Sequence, residues 1–451
     1  MARKKKRRLK KSVKIGCGLI LVLPILLYMA IGLCVQRCSV ERERKAAAEN
    51  EAVGEYDFME LYNRIDEVFN TPQFLDTSQI AIHVYDLATK TPIYRRHADR
   101  LTPPASCMKL LTAVAAMEYL GVEHRYVEEV KLCGEIADGT LYGTVLMQFD
   151  DDPMVESLEP FVDALKKQGI EHIEGDIVLD LLREDTLRAH PTAATWDIPY
   201  NRLPILLKGR KRIEHDLQYL LQSKGITLHR NFLLAAPYLQ GLDSKEDATL
   251  YRMGLNRLYA EGHTIYRHTT PLTEVLAPML IFSSNIKADA LCYHLDHAFD
   301  RIIPNQSKTP SRLKNFLQEG FAAEPETTTG FVVNDGSGLS PDNRMTADFL
   351  VALLEYAWQK EDMRKVLLNE ALATPADPLR RGSLLFRMSE PMFRNKVFVK
   401  TGTLTTIGLS SLAGYVQGSD GRWFAFAIIN ENSPVYDSRK FQDRICKELV
   451  R

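Results

Sequence analysis

The spacing of apolar positions changes several times along the chain, and each change marks an element. Ile15 to Val35 is an unbroken run of 21 uncharged residues, rich in Leu and Ile, behind the basic cluster Arg3-Lys4-Lys5-Lys6-Arg7-Arg8. At about 1.5 Å per residue such a run spans the hydrocarbon core of a bilayer, and Pro24 is tolerable inside it. The run is long and no A-x-A site follows, so it reads as an uncleaved anchor over 15–35 rather than a cleaved signal. The basic head, residues 1–14, should stay cytoplasmic and send the rest of the chain outward. Residues 36–55, charged and rich in Ala and Glu, read as a tether. Phe58, Leu61, Ile65 and Phe69 then recur at helical spacing up to Asn70-Thr71-Pro72. Ile80, Ile82 and Val84 alternate as in a strand, and the turn residues 87–92 lead into a second one. After Pro103-Pro104-Ala105-Ser106, the run from Cys107 to Leu120 predicts a helix closed by Gly121.

From Val122 to Thr270 the pattern becomes one of short strands, turns and modest helices. Lys131–Ile136 and Thr140–Gln148 flank Ala137-Asp138-Gly139, a hairpin pattern. Thr273 to His297 is largely helical, and Asp335-Gly336-Ser337-Gly338 marks a tight turn. Leu409–Val416 and Arg422–Ile429 pair across a polar turn, and Phe441, Ile445 and Leu449 share one face of a closing helix. Similar texture at both ends predicts one mixed α/β (α+β) domain built from residues 56–121 and 271–451. A strand-rich inserted domain over 122–270 interrupts it.

Composition adds compartment and excludes partners. With 45% hydrophobic and 25% charged residues, the chain has enough apolar material for a sizeable core. The net charge of −1 hides an asymmetry: residues 1–14 hold nine of the 57 bases, leaving 48 against 58 acids. An acidic body is a poor partner for nucleic acid, which needs a basic footprint. The seven cysteines are scattered without a C-x-x-C, so neither a disulfide framework nor a zinc knuckle follows.

The candidate chemistry lies in three short motifs in order: Ser106-Cys107-Met108-Lys109, Ser283-Ser284-Asn285 and Lys400-Thr401-Gly402. Singly, each is better read as a helix cap or a strand-end turn; together they form a constellation. A serine hydroxyl is a weak nucleophile until a base takes its proton. At a helix start, i and i+3 share a face, so Lys109 can reach the Ser106 oxygen. To act as base Lys109 must be neutral, and burial beside a second cation such as Lys400 would lower its pKa. Ser283 can relay a proton toward a leaving group, and Asn285 can hydrogen-bond Lys109 or a substrate amide. The Lys400-Thr401-Gly402-Thr403 stretch follows the strand-like Val397-Phe398-Val399, so a substrate could pair along its edge, where Gly402 admits close backbone approach.

These residues, with Pro104-Ala105-Ser106-x-Met108-Lys109-Leu110-Leu111-Thr112 as the first motif, resemble class C low-molecular-mass penicillin-binding proteins of the penicillin-binding protein 4 type. The resemblance continues through Pro271–Leu276, Asn334-Asp335-Gly336-Ser337-Gly338-Leu339-Ser340 and Lys400–Leu404, covering roughly residues 55–451 with a looser middle. It implies a serine β-lactamase/DD-peptidase-like transpeptidase fold and a serine D-Ala-D-Ala carboxypeptidase or endopeptidase. The substrates would be peptidoglycan stem peptides, and β-lactam antibiotics would inhibit covalently; no cofactor or metal is expected. By the same resemblance Ser106 is the acylated nucleophile, Lys109 its base, and Ser283 with Asn285 the relay pair. Lys400 and Thr403, with Thr401 and Gly402 between them, would hold the terminal carboxylate. The backbone N–H groups of Ser106 and Thr403 would form the oxyanion hole. Two stretches depart from the pattern: Asp150-Asp151-Asp152-Pro153 stands where Gly-Gly-Asp-Pro is usual, and Arg381-Gly382-Ser383-Leu384 only approximates a Gly-Thr-Leu element.

Other features call for blander readings. Asp150 to Asp152 reads as an acidic loop rather than a calcium site, and His294 with His297 as a solvated helix face rather than a zinc site. Cys107 reads as a small packed residue, and Ser337, between glycines, as part of a turn. A β-lactamase would need a deacylating glutamate, for which there is no motif. A catalytically idle peptidoglycan-binding scaffold would have no need to keep all five of Ser106, Lys109, Ser283, Asn285 and Lys400.

Overall fold

The computed structural model describes residues 58–71, 74–181, 191–192, 202–235, 253–254, 256–298, 311–320, 330–375 and 377–451. The expected head, anchor and tether lie outside these residues. Among the described residues, no helix is long and apolar enough to cross a membrane.

The helical spacing of Leu61, Ile65 and Phe69 gives α1 (Met59–Asn70), which buries Ile65, Val68 and Phe69. The alternation at Ile80, Ile82 and Val84 gives β1 (Ile80–Asp86), which turns into β2 (Thr91–Arg96). Asp86 shapes that turn by accepting from the N–H groups of Ala88 and Thr89 at 2.9 and 2.6 Å. Next comes α2 (Met108–Leu120), in which every residue from Met108 to Met117 is buried. A helix apolar on all sides belongs at the centre of a domain, and burial of each large side chain contributes roughly 1.5–3 kcal/mol.

The middle of the chain forms β3 (Arg125–Ala137), β4 (Thr140–Gln148), α3 (Glu159–Lys167), β5 (His172–Ile173), β6 (Ile177–Asp180), α4 (Arg210–Ser223), β7 (Thr227–Leu228), β8 (Phe232–Leu234) and β9 (His263–Pro271). Seven strands make one sheet, ordered β7-β5-β4-β3-β9, with β6 on β4 and β8 on β6. Its apolar face packs on α3 and α4 through Val130, Phe161, Leu165 and Leu217. The β3–β4 hairpin closes on Asp138 and Gly139, with φ of 49° and 77°, the pair of positive values a two-residue type I′ turn requires. β3 starts at Arg125, six residues before the expected Lys131, because β9 pairs with that first half.

After β9 the chain becomes helical: α5 (Leu272–Ile281), α6 (Asn285–Ala298), α7 (Ser311–Gly320), α8 (Ala347–Gln359) and α9 (Glu361–Val366). The largely continuous helix expected over 273–297 is broken at Phe282-Ser283-Ser284, where Ser283 adopts a φ of 60°. Serine side chains compete for backbone hydrogen bonds, which weakens a helix there. Finally β10 (Val397–Leu404), β11 (Leu409–Gln417) and β12 (Trp423–Asn430) precede α10 (Val435–Val450). They join β1 and β2 in an antiparallel sheet of order β10-β11-β12-β1-β2. Strands from both ends of the described chain meet there, with Ile82 opposite Ile428 and Val84 opposite Phe426.

One sequence reading needs correction. His294 does not lie on a solvated face: it is 3% exposed, and its ring stands 4.9 Å from that of Tyr126 on β3. A partner 168 positions away covers that face of α6. Asp150 to Asp152 is a loop, as read from the sequence, but Asp151 and Asp152 within it are buried. Their strand neighbour Glu128 accepts from the N–H groups of Asp150 and Asp152 at 3.2 and 3.0 Å. Burial pushes the Glu128 carboxyl well above its usual range. Asp151 has a φ of 57°, a conformation glycine adopts more readily.

Candidate active site

A short 3-10 turn over Ala105–Cys107 delivers the chain into α2, and Ala105 takes a φ of 46° just before Ser106. Non-glycine residues in this region are uncommon and gather where a site over-determines the backbone. α2 has no side-chain N-cap. The Ser106 hydroxyl instead lies 2.9 Å from Lys109 Nζ, one helical turn on. Lys109 is wholly buried, and its Nζ donates to Asn285 Oδ1 at 2.7 Å and to the Ser337 carbonyl at 2.6 Å. Burial first, and the nearby Lys400 charge second, push its pKa down to about 7; Asp289 and Asp335 pull it back up in part.

The acceptor on Ser337 is held by the tight turn after residue 334. Asp335 accepts from the N–H groups of Gly338 and Ser340 at 2.6 and 2.7 Å, and from Asn343 Nδ2 at 3.2 Å. The Thr112 hydroxyl ties the Gly336 carbonyl to α2 at 2.7 Å. Gly338, with φ of 76°, packs so tightly that a Cβ there would lie 1.8 Å from the Ala105 carbonyl.

Lys400 enters from β10, the edge strand of the five-stranded sheet. It is wholly buried, donates to Ser283 Oγ at 2.9 Å and to the Thr401 carbonyl at 2.7 Å, and burial pushes its pKa down to about 8. Val399 exchanges hydrogen bonds with Ala373 on the outer edge of β10. Backbone groups two residues apart in a strand point the same way, so Thr401 and Thr403 present theirs on that edge beyond Ala373. A Cβ at Gly402 would lie 2.1 Å from Ser411 Oγ and 3.0 Å from Ala105 Cβ, so the strand backbone rests against the turn that carries Ser106.

The three sequence motifs therefore meet. Ser106, Lys109 and Asn285 form one hydrogen-bonded group, Ser283 and Lys400 a second, and Thr401, Gly402 and Thr403 line the strand beside them. Cys107 is buried, with Sγ 3.4 Å from the Lys400 carbonyl and 3.3 Å from Ser411 Oγ, and burial pushes its thiol up. Ser337 is a turn residue, as read from the sequence, but its carbonyl joins the site. The Asp-Gly-Ser-Gly stretch was the visible signal; which of its atoms would face Lys109 was not. Among the described residues no group of His, Cys, Asp or Glu could hold a metal ion.

A serine hydroxyl beside a buried lysine of lowered pKa, on a mixed α/β fold, is the arrangement that serine-lysine acyl transfer requires. The chain belongs to the D-Ala-D-Ala carboxypeptidase 3 (S13) family, whose model matches residues 61–199 and 254–449. It is 25% identical over 467 residues to a D-alanyl-D-alanine carboxypeptidase of Actinomadura sp., covering 87% of this chain and 84% of that protein. It is also 25% identical over 395 residues to the Haemophilus influenzae D-alanyl-D-alanine carboxypeptidase DacB, covering 71% and 79%. The crystal structure of penicillin-binding protein 4 from H. influenzae superposes with a TM-score of 0.60 at 18% identity, over 87% of this chain and 100% of that one. Its complex with a β-lactam gives the same score at 19% identity, over 88% of this chain and 100% of that one. The protein is a D-Ala-D-Ala carboxypeptidase of this family, with the mixed α/β fold of penicillin-binding protein 4.

Proposed function

We propose that the enzyme trims or cleaves peptidoglycan stem peptides through an acyl-enzyme on Ser106, with Lys109 as the base. One observation carries the assignment. A neutral lysine has two N–H groups and one lone pair, and Asn285 Oδ1 and the Ser337 carbonyl are both pure acceptors, at 2.7 and 2.6 Å. They occupy the two N–H groups, so the lone pair is left for the Ser106 hydroxyl at 2.9 Å. Ser106 Oγ then attacks the carbonyl of the penultimate D-alanine as its proton passes to Lys109. The oxyanion meets the N–H groups of Ser106 and Thr403. Collapse breaks the peptide bond, and the departing amine takes the proton that Lys109 had accepted, passed on through the Ser283 hydroxyl, which the Lys400 ammonium polarises. Water then cleaves the ester and frees Ser106. A β-lactam would follow the first half of this path, its opened ring remaining attached as the acyl group. Lys400, Thr401 and Thr403 receive the terminal carboxylate of the substrate.

The test is to incubate the enzyme with purified muropeptides and read product masses. Loss of a single alanine from pentapeptide stems is expected; splitting of cross-linked dimers would add endopeptidase activity. Neither product would defeat the reading.

Residues 122–270 act in this proposal as an inserted domain and residues 56–121 with 271–451 as the catalytic domain. Two sheets with separate apolar clusters support that division. Residues 15–35 anchor the enzyme in the cell membrane with the catalytic body outside the cytoplasm, a reading supported by their 21 uncharged positions and the basic flank. Protease added to intact spheroplasts should therefore digest the body and spare only the head. A fully protected body would overturn the topology.

A further inference from the structure

β10 presents its side chains on two faces, and the chemistry described so far uses mainly one. Lys400 and Gly402 point toward the turn that carries Ser106, while the alternation of a strand puts Thr401 and Thr403 on the opposite face. That second face is the one α10 covers: Gln442 Nε2 donates to Ser410 Oγ at 3.2 Å, and Ser410 is the cross-strand partner of Thr403. Three residues before Gln442 on the same helix, Arg439 Nη2 donates to Thr403 Oγ1 at 3.1 Å. Thr403 Oγ1 in turn donates to the Gly402 carbonyl at 2.8 Å.

Arg439 is a cation whose natural partner has been taken. Asp443 lies four residues on along α10, the usual spacing for a helical ion pair. Its Oδ1 is instead held by Arg387, from Nε at 2.9 Å and from Nη2 at 2.7 Å. Arg439 itself makes no ion pair among the described residues and is exposed. A guanidinium keeps its charge at every working pH and offers a planar fork that matches a carboxylate. Lys400, by contrast, is a buried ammonium whose Nζ is already engaged with Ser283 and Thr401.

We propose that Arg439 is a specificity-determining residue, which with Thr403 forms a second cationic contact for the free C-terminal carboxylate of the substrate. This rests on the carboxypeptidase reading above and extends its carboxylate site to α10. A chain paired along the open edge of β10 would have Lys400 on one face and Arg439 on the other, so its terminal charge would be met from both sides. The contact acts on binding of the carboxylate and has no part in proton transfer at Ser106.

The test compares three enzymes, the wild type, Arg439→Gln and Arg439→Lys, on two acyl donors. One is a peptide ending in D-Ala-D-Ala with a free carboxylate; the other is an ester of the same acyl group whose leaving group is uncharged. Arg439→Gln should lower kcat/KM on the peptide by about 10-fold, chiefly through KM, as loss of one charged hydrogen-bonding partner at a solvent-accessible site predicts. The loss on the neutral ester should be at least about five times smaller. Arg439→Lys, which keeps charge without the fork, should recover about half of the loss on a logarithmic scale. Equal losses on both donors would reduce Arg439 to a support for Thr403, and no loss on the peptide would make it a bystander; either result overturns the proposal. A wild type that turns over the ester but not the peptide would bring down the parent reading, a failure visible before any variant is made.

Discussion

Ser106→Ala should abolish covalent labelling of the protein by a fluorescent penicillin. No other nucleophile in the site is placed to substitute. Ser283 receives the Lys400 ammonium rather than a base, and the Cys107 thiol is buried, faces the Lys400 carbonyl and is pushed up in pKa. The alanine variant removes one oxygen and leaves Lys109 its contacts with Asn285 and Ser337, so the fold should persist. Removal of a serine nucleophile alone commonly lowers turnover by several orders of magnitude. On that scale the acylation rate should fall by at least about 10⁴-fold, below the detection limit of a gel. A labelled band from the folded variant would mean that the nucleophile has been misassigned.

Lys109→Arg is expected to have the next largest effect, although it preserves charge. Guanidinium stays protonated at any working pH and has no lone pair to offer. General-base catalysis is typically worth about 10²- to 10⁴-fold, so penicillin acylation should drop by roughly that factor. Circular dichroism on the variant separates this from unfolding. The wild type carries the matching pH signature: with the Lys109 pKa near 7, acylation should fall about tenfold per pH unit below that value, because only the neutral amine accepts the proton. Near-normal acylation by the arginine variant, or a flat profile between pH 5 and 7, would remove Lys109 from the base role.

Much of this site could be read from one-dimensional spacing, for a physical reason. Ser106 and Lys109 are three apart at a helix start, so helical geometry alone brings them together, and the apolar run behind them marks the helix as central. The elements β1, β11, β12 and α10 also follow from local periodicity. What stayed hidden depends on partners distant in sequence. The first half of β3 needs β9, and His294 is covered by Tyr126. The break between α5 and α6 turns on Ser283 adopting a positive φ inside an otherwise helical pattern. The Ser337 carbonyl is a backbone atom, so no side-chain motif could single it out. Arg439 is one charged residue in an amphipathic helix. It gains meaning only once Arg387 is seen to hold Asp443.

The two buried lysines also set how the molecule's stability varies with acidity. An exposed lysine holds its proton up to about 10.5, whereas Lys109 and Lys400 give theirs up near 7 and 8 in the folded protein. Across that interval these two groups bind more protons in the unfolded chain than in the folded one, so their own contribution to folding becomes more favourable as the pH rises from about 7 to 10.5. On the acid side both ammonium groups are charged inside the protein, and the fold bears the full penalty of their burial, on the order of a few kcal/mol. That penalty falls on a fold whose net stability is itself only about 5–15 kcal/mol. The arrangement that readies Lys109 for catalysis near neutrality therefore leaves this enzyme with less reserve against acid than the same cores would have around an apolar centre.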